Sequence, residues 1–193
     1  MSFITGTQDE ALYSLSAAIT KNTYTTQAVL SATAGGTQPL CVVDGNYFRS
    51  VPNGVGRGLY LKAKGTIATT SAATFTGVLG LDATPGTLAN SVTYWPILAP
   101  TAATTCLWDL DAWYTCQQVG GNSALTIQVN GEYRQSVVAT GVLSTAPQSV
   151  MFQASLTAMD PTKPLYVELW GTWSASASGN TTTLQEMFLF GLN

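Results

Sequence analysis

Two aspartates, Asp109 and Asp111, have the spacing in this sequence that most invites chemistry. On a β-strand, residues i and i+2 project from the same face, so both carboxylates share a side. A carboxylate pair can run glycoside hydrolysis or hold a hard cation. The neighbouring Trp108, Trp113 and Tyr114 add rings on which a sugar could stack. Glycosidase carboxylates, however, flank the scissile bond from different elements, not from i and i+2 of one strand. Leu107 shares the aspartates' face, which argues further against a polar cleft. The plainer alternative is a solvated strand face, with the aromatics filling core and interface.

The remaining constellations narrow the chemistry. The chain has no histidine, which removes Ser-His-Asp and Cys-His nucleophile pairs, His-ligated zinc and the imidazole proton shuttle. It has no P-loop, no Rossmann Gly-x-Gly-x-x-Gly and no Gly-x-Ser-x-Gly elbow. Gly54 to Gly58 leads into a strand and reads as a turn. Cys41, Cys106 and Cys116 are an odd number at no metal-ligand spacing. On one continuous strand Cys106 and Cys116 would stand roughly 33 Å apart. No catalytic residue, metal site or cofactor is expected. Trp170 and Trp173 fall on opposite faces of the strand from Pro164 to Ala175, with Trp173 on the core side of Leu165, Val167 and Leu169. The candidate surface-binding aromatics are therefore Trp108, Trp113 and Trp170. Arg57, Lys62 and Lys64 form a basic stripe of only three charges, read as a solvated face or salt-bridge donors. Asn180-Thr181-Thr182 matches a glycosylation sequon, expected to stay unmodified because no signal peptide is visible.

The elements that must position these residues follow from composition and periodicity. The 193 residues are 46% hydrophobic but only 9% charged, where roughly a quarter is usual. Neutral hydroxyls supply the missing polarity, from 29 Thr and 15 Ser. Seven Lys and Arg against ten Asp and Glu, net −3, give no electrostatic footprint for nucleic acid. The longest uncharged window, between Asp82 and Asp109, contains Pro85, Pro96 and Pro100 and is no membrane span.

From Gly58 onward the hydrophobic period is two. Leu59, Leu61, Ala63 and Ile67 alternate with Tyr60, Lys62, Lys64 and Thr66, and similar runs recur to Leu192. Asn130-Gly131 is a dipeptide suited to a tight turn. Eight or so strands between Gly, Pro, Asn and Ser/Thr clusters predict an all-β body over 46–193. The expected architecture is an antiparallel two-sheet β-sandwich, jelly-roll-like. Residues 1–45 read as an appendage. Thr7 to Glu10 has capping-box spacing, and Leu12, Leu15 and Ile19 follow at helical intervals, predicting a short amphipathic helix. An extended arm follows, carrying the apolar patch Leu40, Cys41, Val42 and Val43. A helix that short must dock on something, either its own body or a neighbouring subunit.

Two stretches carry a family resemblance. One is Gly45-Asn46-Tyr47-Phe48-Arg49 followed by Gly56-Arg57-Gly58-Leu59-Tyr60-Leu61-Lys62-Ala63-Lys64-Gly65-Thr66-Ile67. The other is Leu169-Trp170-Gly171-Thr172-Trp173-Ser174-Ala175-Ser176, closing on Leu184-Gln185 and Phe190-Gly191-Leu192-Asn193. Over 45–193 the chain resembles the minor capsid, head-fibre or decoration proteins of tailed bacteriophages, especially those of actinobacteria. The resemblance implies a jelly-roll-like sandwich displayed on the virion, commonly as an oligomer.

The leading functional expectation is a structural virion protein, not an enzyme. It would bind the head shell, through the major capsid protein or other virion proteins, by its N-terminal region. It would form a homo-oligomer, a trimer by analogy, through its sandwich. Leu12, Leu15, Ile19, Leu40, Val42 and Val43 are the candidate capsid or subunit contacts. The alternative is a carbohydrate-binding module that touches host-surface glycan through its tryptophans. No nucleic acid and no membrane is expected as partner. The expected location is the virion, after synthesis in the host cytoplasm without a secretion signal.

Overall fold

The computed structural model describes residues 10–15, 17–22, 25, 28–31, 41–49, 57–69, 73–98, 104–121, 124–139, 142–143, 148–177 and 179–192. Thirteen strands are described: β1 (Glu10–Ser14), β2 (Ile19–Asn22), β3 (Ala28–Val29), β4 (Val42–Val43), β5 (Gly58–Thr69), β6 (Phe75–Asp82), β7 (Ser91–Leu98), β8 (Thr104–Gln118), β9 (Leu125–Ala139), β10 (Val142–Leu143), β11 (Gln148–Met159), β12 (Leu165–Trp173) and β13 (Thr181–Leu192). A single 3₁₀ turn, Tyr47–Arg49, precedes β5.

The strands form two antiparallel sheets. The large sheet runs β1-β13-β5-β8-β9-β10, with β11 also on β9 and β2 also on β13. The small sheet runs β3-β12-β6-β7, with β4 also on β12. Pairing is nested: β5 with β13, β6 with β12, β7 beside β11, and the hairpin β8–β9 innermost. The result is an antiparallel two-sheet sandwich in which β8 pairs directly with β5, while β7 and β11 lie in different sheets.

Alternation builds the core between the sheets. The large sheet turns in Leu59, Leu61, Ala63 and Ile67 from β5, and Trp108, Leu110, Ala112 and Tyr114 from β8. The small sheet answers with Phe75, Leu79, Leu81, Val167, Leu169 and Trp173. Trp173 packs edge-on against Phe75, with ring centroids 5.1 Å apart. Cys41, Cys106 and Cys116 are all buried, and the last two lie ten residues apart on one strand, β8.

Two expectations are corrected. No α-helix is present among the described residues, and Leu12, Leu15 and Ile19 do not lie on one. β1 and β2 instead add to the free edge of β13, and the Leu15 N–H donates to the Met187 carbonyl at 2.8 Å. A helix of about 13 residues is marginal in water, whereas an open strand edge offers a whole row of backbone partners. A register shift between Ala11 and Tyr13 turns both Leu12 and Tyr13 partly inward. The capping-box residues Thr7, Gln8 and Asp9 lie outside the described residues.

Asn130-Gly131 is not a turn either. It lies in mid-strand in β9, opposite Trp113 and Ala112 on β8. Glycine is required there because a Cβ would stand 2.2 Å from the Phe152 ring and 2.6 Å from the Asp111 carbonyl. Pro96 sits within β7, an edge strand of the small sheet, where a missing N–H is tolerated.

The described N-terminal strands join both sheets, since β3 and β4 pair with β12 as β1 and β2 pair with β13. The outer face of the small sheet is covered by the chain itself around Glu168 and Trp170. Glu168 there accepts the Gly86 N–H at 3.0 Å and the Trp170 indole N–H at 3.1 Å. The β6–β7 loop is thereby pinned over that sheet.

Candidate functional site

The outer face of the large sheet is different. Along β5, β8, β9, β11 and β13 the residues that alternate with the core form register rows across the strands. One row is Glu186, Lys64, Asp109, Arg134 and Ser149; the next is Phe188, Lys62, Asp111, Glu132 and Met151. A third is Phe190, Tyr60, Trp113, Asn130 and Gln153. Three of the chain's 7 Lys and Arg residues and four of its 10 Asp and Glu residues stand on this one face.

The charges are tied to one another. The Arg134 Nε–H donates to Asp109 Oδ1 at 2.6 Å, its Nη2 reaches the Asp111 carboxylate, and Glu132 lies 3.6 Å from Nη1. Lys64 Nζ meets Glu186 at 2.8 Å. These hydrogen bonds, that to Asp109 foremost, hold the guanidinium above its ordinary pKa. The Tyr60 hydroxyl donates to the other oxygen of Asp111. Burial first, and then that hydrogen bond, push the phenol up to about 12. Arg134 stands where a hard cation would need to sit between the aspartates. The pair is therefore an ion network: both carboxylates share one partner, and no gap separates an acid from a base as glycoside hydrolysis demands.

Beside the charges runs a ladder of rings from three strands. Trp113 stacks on Tyr60 at 5.2 Å, Tyr60 on Phe190 at 6.0 Å, and Phe190 on Phe188 at 6.2 Å, with interplanar angles of 19 to 23°. Rings this close and this parallel are offset-stacked, so their faces are largely spent on each other. What the ladder turns outward is a ridge of edges, ended by Trp113. The exposed large hydrophobic residues among those described are Val42, Leu107 (45%), Trp113 (42%) and Met151 (71%). All but Val42 lie on this face.

The candidate tryptophans separate accordingly. Trp108 points into the core, and Trp170 faces outward but lies buried beneath the β6–β7 loop with its N–H on Glu168. Of the three, Trp113 alone is exposed. Among the N-terminal candidates, Ile19 and Val43 are buried, and Leu12 and Leu15 pack against the core. Val42 is exposed at the rim of a shallow groove of about 330 Å³ shared with Ala11, Leu12, Asp44 and Tyr47. Leu40 lies outside the described residues. Arg57 leaves the basic stripe: it donates to the Tyr47 carbonyl at 2.8 Å and caps the Tyr47 ring at 3.9 Å. Asn180 of the sequon is buried, accepting the Thr69 hydroxyl at 3.0 Å.

Tyr60, Arg134, Phe188 and Phe190 were not singled out from the sequence. Period-two alternation already marked Tyr60 as outward. What brings it to Trp113 and Phe190 is pairing between strands far apart in the chain, which no local pattern announces.

No family model matches the chain, and no curated protein matches it. Among solved structures it is similar to the CBM2 module of the evolved Dit of Lactobacillus casei BL23 phage J-1, at 10% identity, 96% coverage of both chains and TM-score 0.32. A legume lectin-like domain from Entamoeba histolytica aligns at 10% identity over 72% of this chain and 80% of that one, TM-score 0.25. The VP2 subviral particle of infectious bursal disease virus aligns at 13% identity over 91% of this chain and 41% of that one, TM-score 0.29. Likenesses at this level are too distant to carry an argument about function. What stands on the chain's own geometry is an antiparallel two-sheet β-sandwich with one of its outer faces left uncovered.

Proposed function

We propose that this chain is a structural, non-catalytic virion subunit that works through surface contacts, oligomerising by its β-sandwich and attaching to the head shell by its N-terminal region. The observation that carries the reading is the asymmetry of the two outer faces. The small sheet buries its outward Trp170 under its own loop, while the large sheet leaves Leu107, Trp113 and Met151 in the open. Contiguous exposed apolar surface marks contact sites, and on this face Trp113 continues into the rings of Tyr60, Phe190 and Phe188. The virion setting rests on the sequence resemblance over 45–193.

The test uses phage heads lacking the chain, to which purified protein is added back. The full chain is expected to fill its sites, and a Val42→Asp variant to lose occupancy. Full occupancy by both Val42→Asp and a chain lacking residues 1–45 would remove the N-terminal attachment. No binding to heads by the intact chain would remove the virion reading.

One observation favours a second reading, a host-glycan adhesion module. Trp113 ends the ring ladder, exposed, opposite Asn130 and two residues along the same face from Asp111. Pull-down on host cell-wall polysaccharide separates the two: retention lost in Trp113→Ala supports adhesion, and no retention of the intact chain disposes of it.

A further inference from the structure

The outer face of the large sheet has a charge order that suits one occupant, a second copy of itself. Across the strands the signs run in stripes. Glu186 stands on β13, Lys62 and Lys64 on β5, Asp109 and Asp111 on β8, and Arg134 beside Glu132 on β9. Consider a two-fold axis lying over the groove between β5 and β8, parallel to the strands. It lays each β5 over the partner's β8, and each β13 over the partner's β9, with every row kept at its own level. Lys62 then faces the Asp111 of the second copy, Lys64 faces its Asp109, and Arg134 faces its Glu186. Tyr60 meets Trp113. These three oppositions of sign follow from the register, while Glu132 falls over the Phe188 of the second copy.

The face is also the right size. Five strands about 4.8 Å apart, followed for eleven residues at about 3.3 Å each, cover roughly 800 Å². That is about what one partner contributes to a standard stable interface. The ring ladder fits this occupant better than a sugar. A pyranose stacks on an open ring face, whereas this ladder offers edges, which suit another aromatic set in an edge-on or offset contact.

We propose that the outer face of the large sheet is an isologous homodimer interface, with the lysines of β5 opposite the aspartates of β8 in the second copy. The proposal rests on the reading of that face as the contact surface of an assembling subunit, and names the partner. An isologous contact makes each substitution act twice. Lys62 is exposed and has no ion pair among the described residues, so its reversal leaves the Arg134 network intact.

Sedimentation equilibrium of the full chain over a concentration series tests the state. A monomer–dimer equilibrium is expected, with Lys62→Glu and Trp113→Ala each weakening it about tenfold or more and circular dichroism unchanged. Carbodiimide crosslinking of mixed light and heavy-isotope protein tests the geometry. Mixed-label links from Lys64 or Lys62 to Asp109, the more exposed of the two carboxylates, are expected. A chain monomeric at every concentration overturns the proposal, and so does a dimer unaffected by both variants or mixed-label links only elsewhere. A monomer that binds glycan through Trp113 also overturns it. Head-binding occupancy is measured separately, so loss of the dimer alone leaves the virion reading standing.

Discussion

At the scale of single residues, this chain places its few ions where they answer one another. Asp111 is 7% exposed, and both its oxygens are occupied, one by Tyr60 and one by Arg134. The spacing of Asp109 and Asp111 was legible in the sequence, including their shared face. The partner was not, because Arg134 arrives from the neighbouring strand. Glu168 is the other buried carboxylate, 1% exposed, with Asp82 nearby as the like charge on β6. Burial raises its pKa above the ordinary 4.5, against the opposing pull of the Gly86 and Trp170 N–H groups. A carboxyl group with a raised folded-state pKa holds its proton more tightly folded than unfolded. Its contribution to stability is therefore present below the ordinary value and lost as pH rises through the folded-state pKa. Comparing thermal unfolding of wild type and Glu168→Gln from pH 4 to 7 (about the titration range of a raised carboxyl) checks the sign. The wild-type melting temperature should fall relative to the variant as pH rises, and a difference that stays flat or reverses contradicts it.

At the scale of elements, the alternation of β5, β11 and β12 was readable residue by residue, since one buried face imposes a period of two. The failures came where an element depends on a distant neighbour. Helical spacing at Leu12, Leu15 and Ile19 lost to the open edge of β13. Asn130-Gly131 resembled a turn because glycine serves both turns and close approaches, and only the Phe152 ring across the ladder shows which. This makes Gly131→Ala a sharp probe. It should destabilise the fold by about 1–3 kcal/mol through overpacking, read as a shift of the urea midpoint. In a Phe152→Ala background the cost should shrink, since the nearer obstacle is gone. Equal cost in both backgrounds would put the strain on the Asp111 carbonyl alone.

For the whole molecule, the question is whether residues 1–45 form a separate unit. Thiol labelling answers it, because Cys41 precedes the body while Cys106 and Cys116 lie within β8, and all three are buried. If the arm is integral to the sandwich, the three thiols should become reactive together, at the denaturant midpoint of global unfolding. Early labelling of Cys41 would mark the N-terminal strands as a locally opening unit. Composition and periodicity alone determined the fold class and the inward and outward side of most strand residues. Each of these depends on local alternation or on simple counts. The tertiary structure decided which outward residues meet. The ring ladder of Trp113, Tyr60, Phe190 and Phe188 and the charge stripes beside it exist because β8, β5 and β13 are neighbours in a rolled sheet. It also decided that Trp170 is covered and Trp113 is not, since a loop pinned by Glu168 lies over one sheet and leaves the other open. Side-chain direction is a property of the strand, but company on a face is a property of the pairing, and pairing across more than a hundred residues of chain has no local signature.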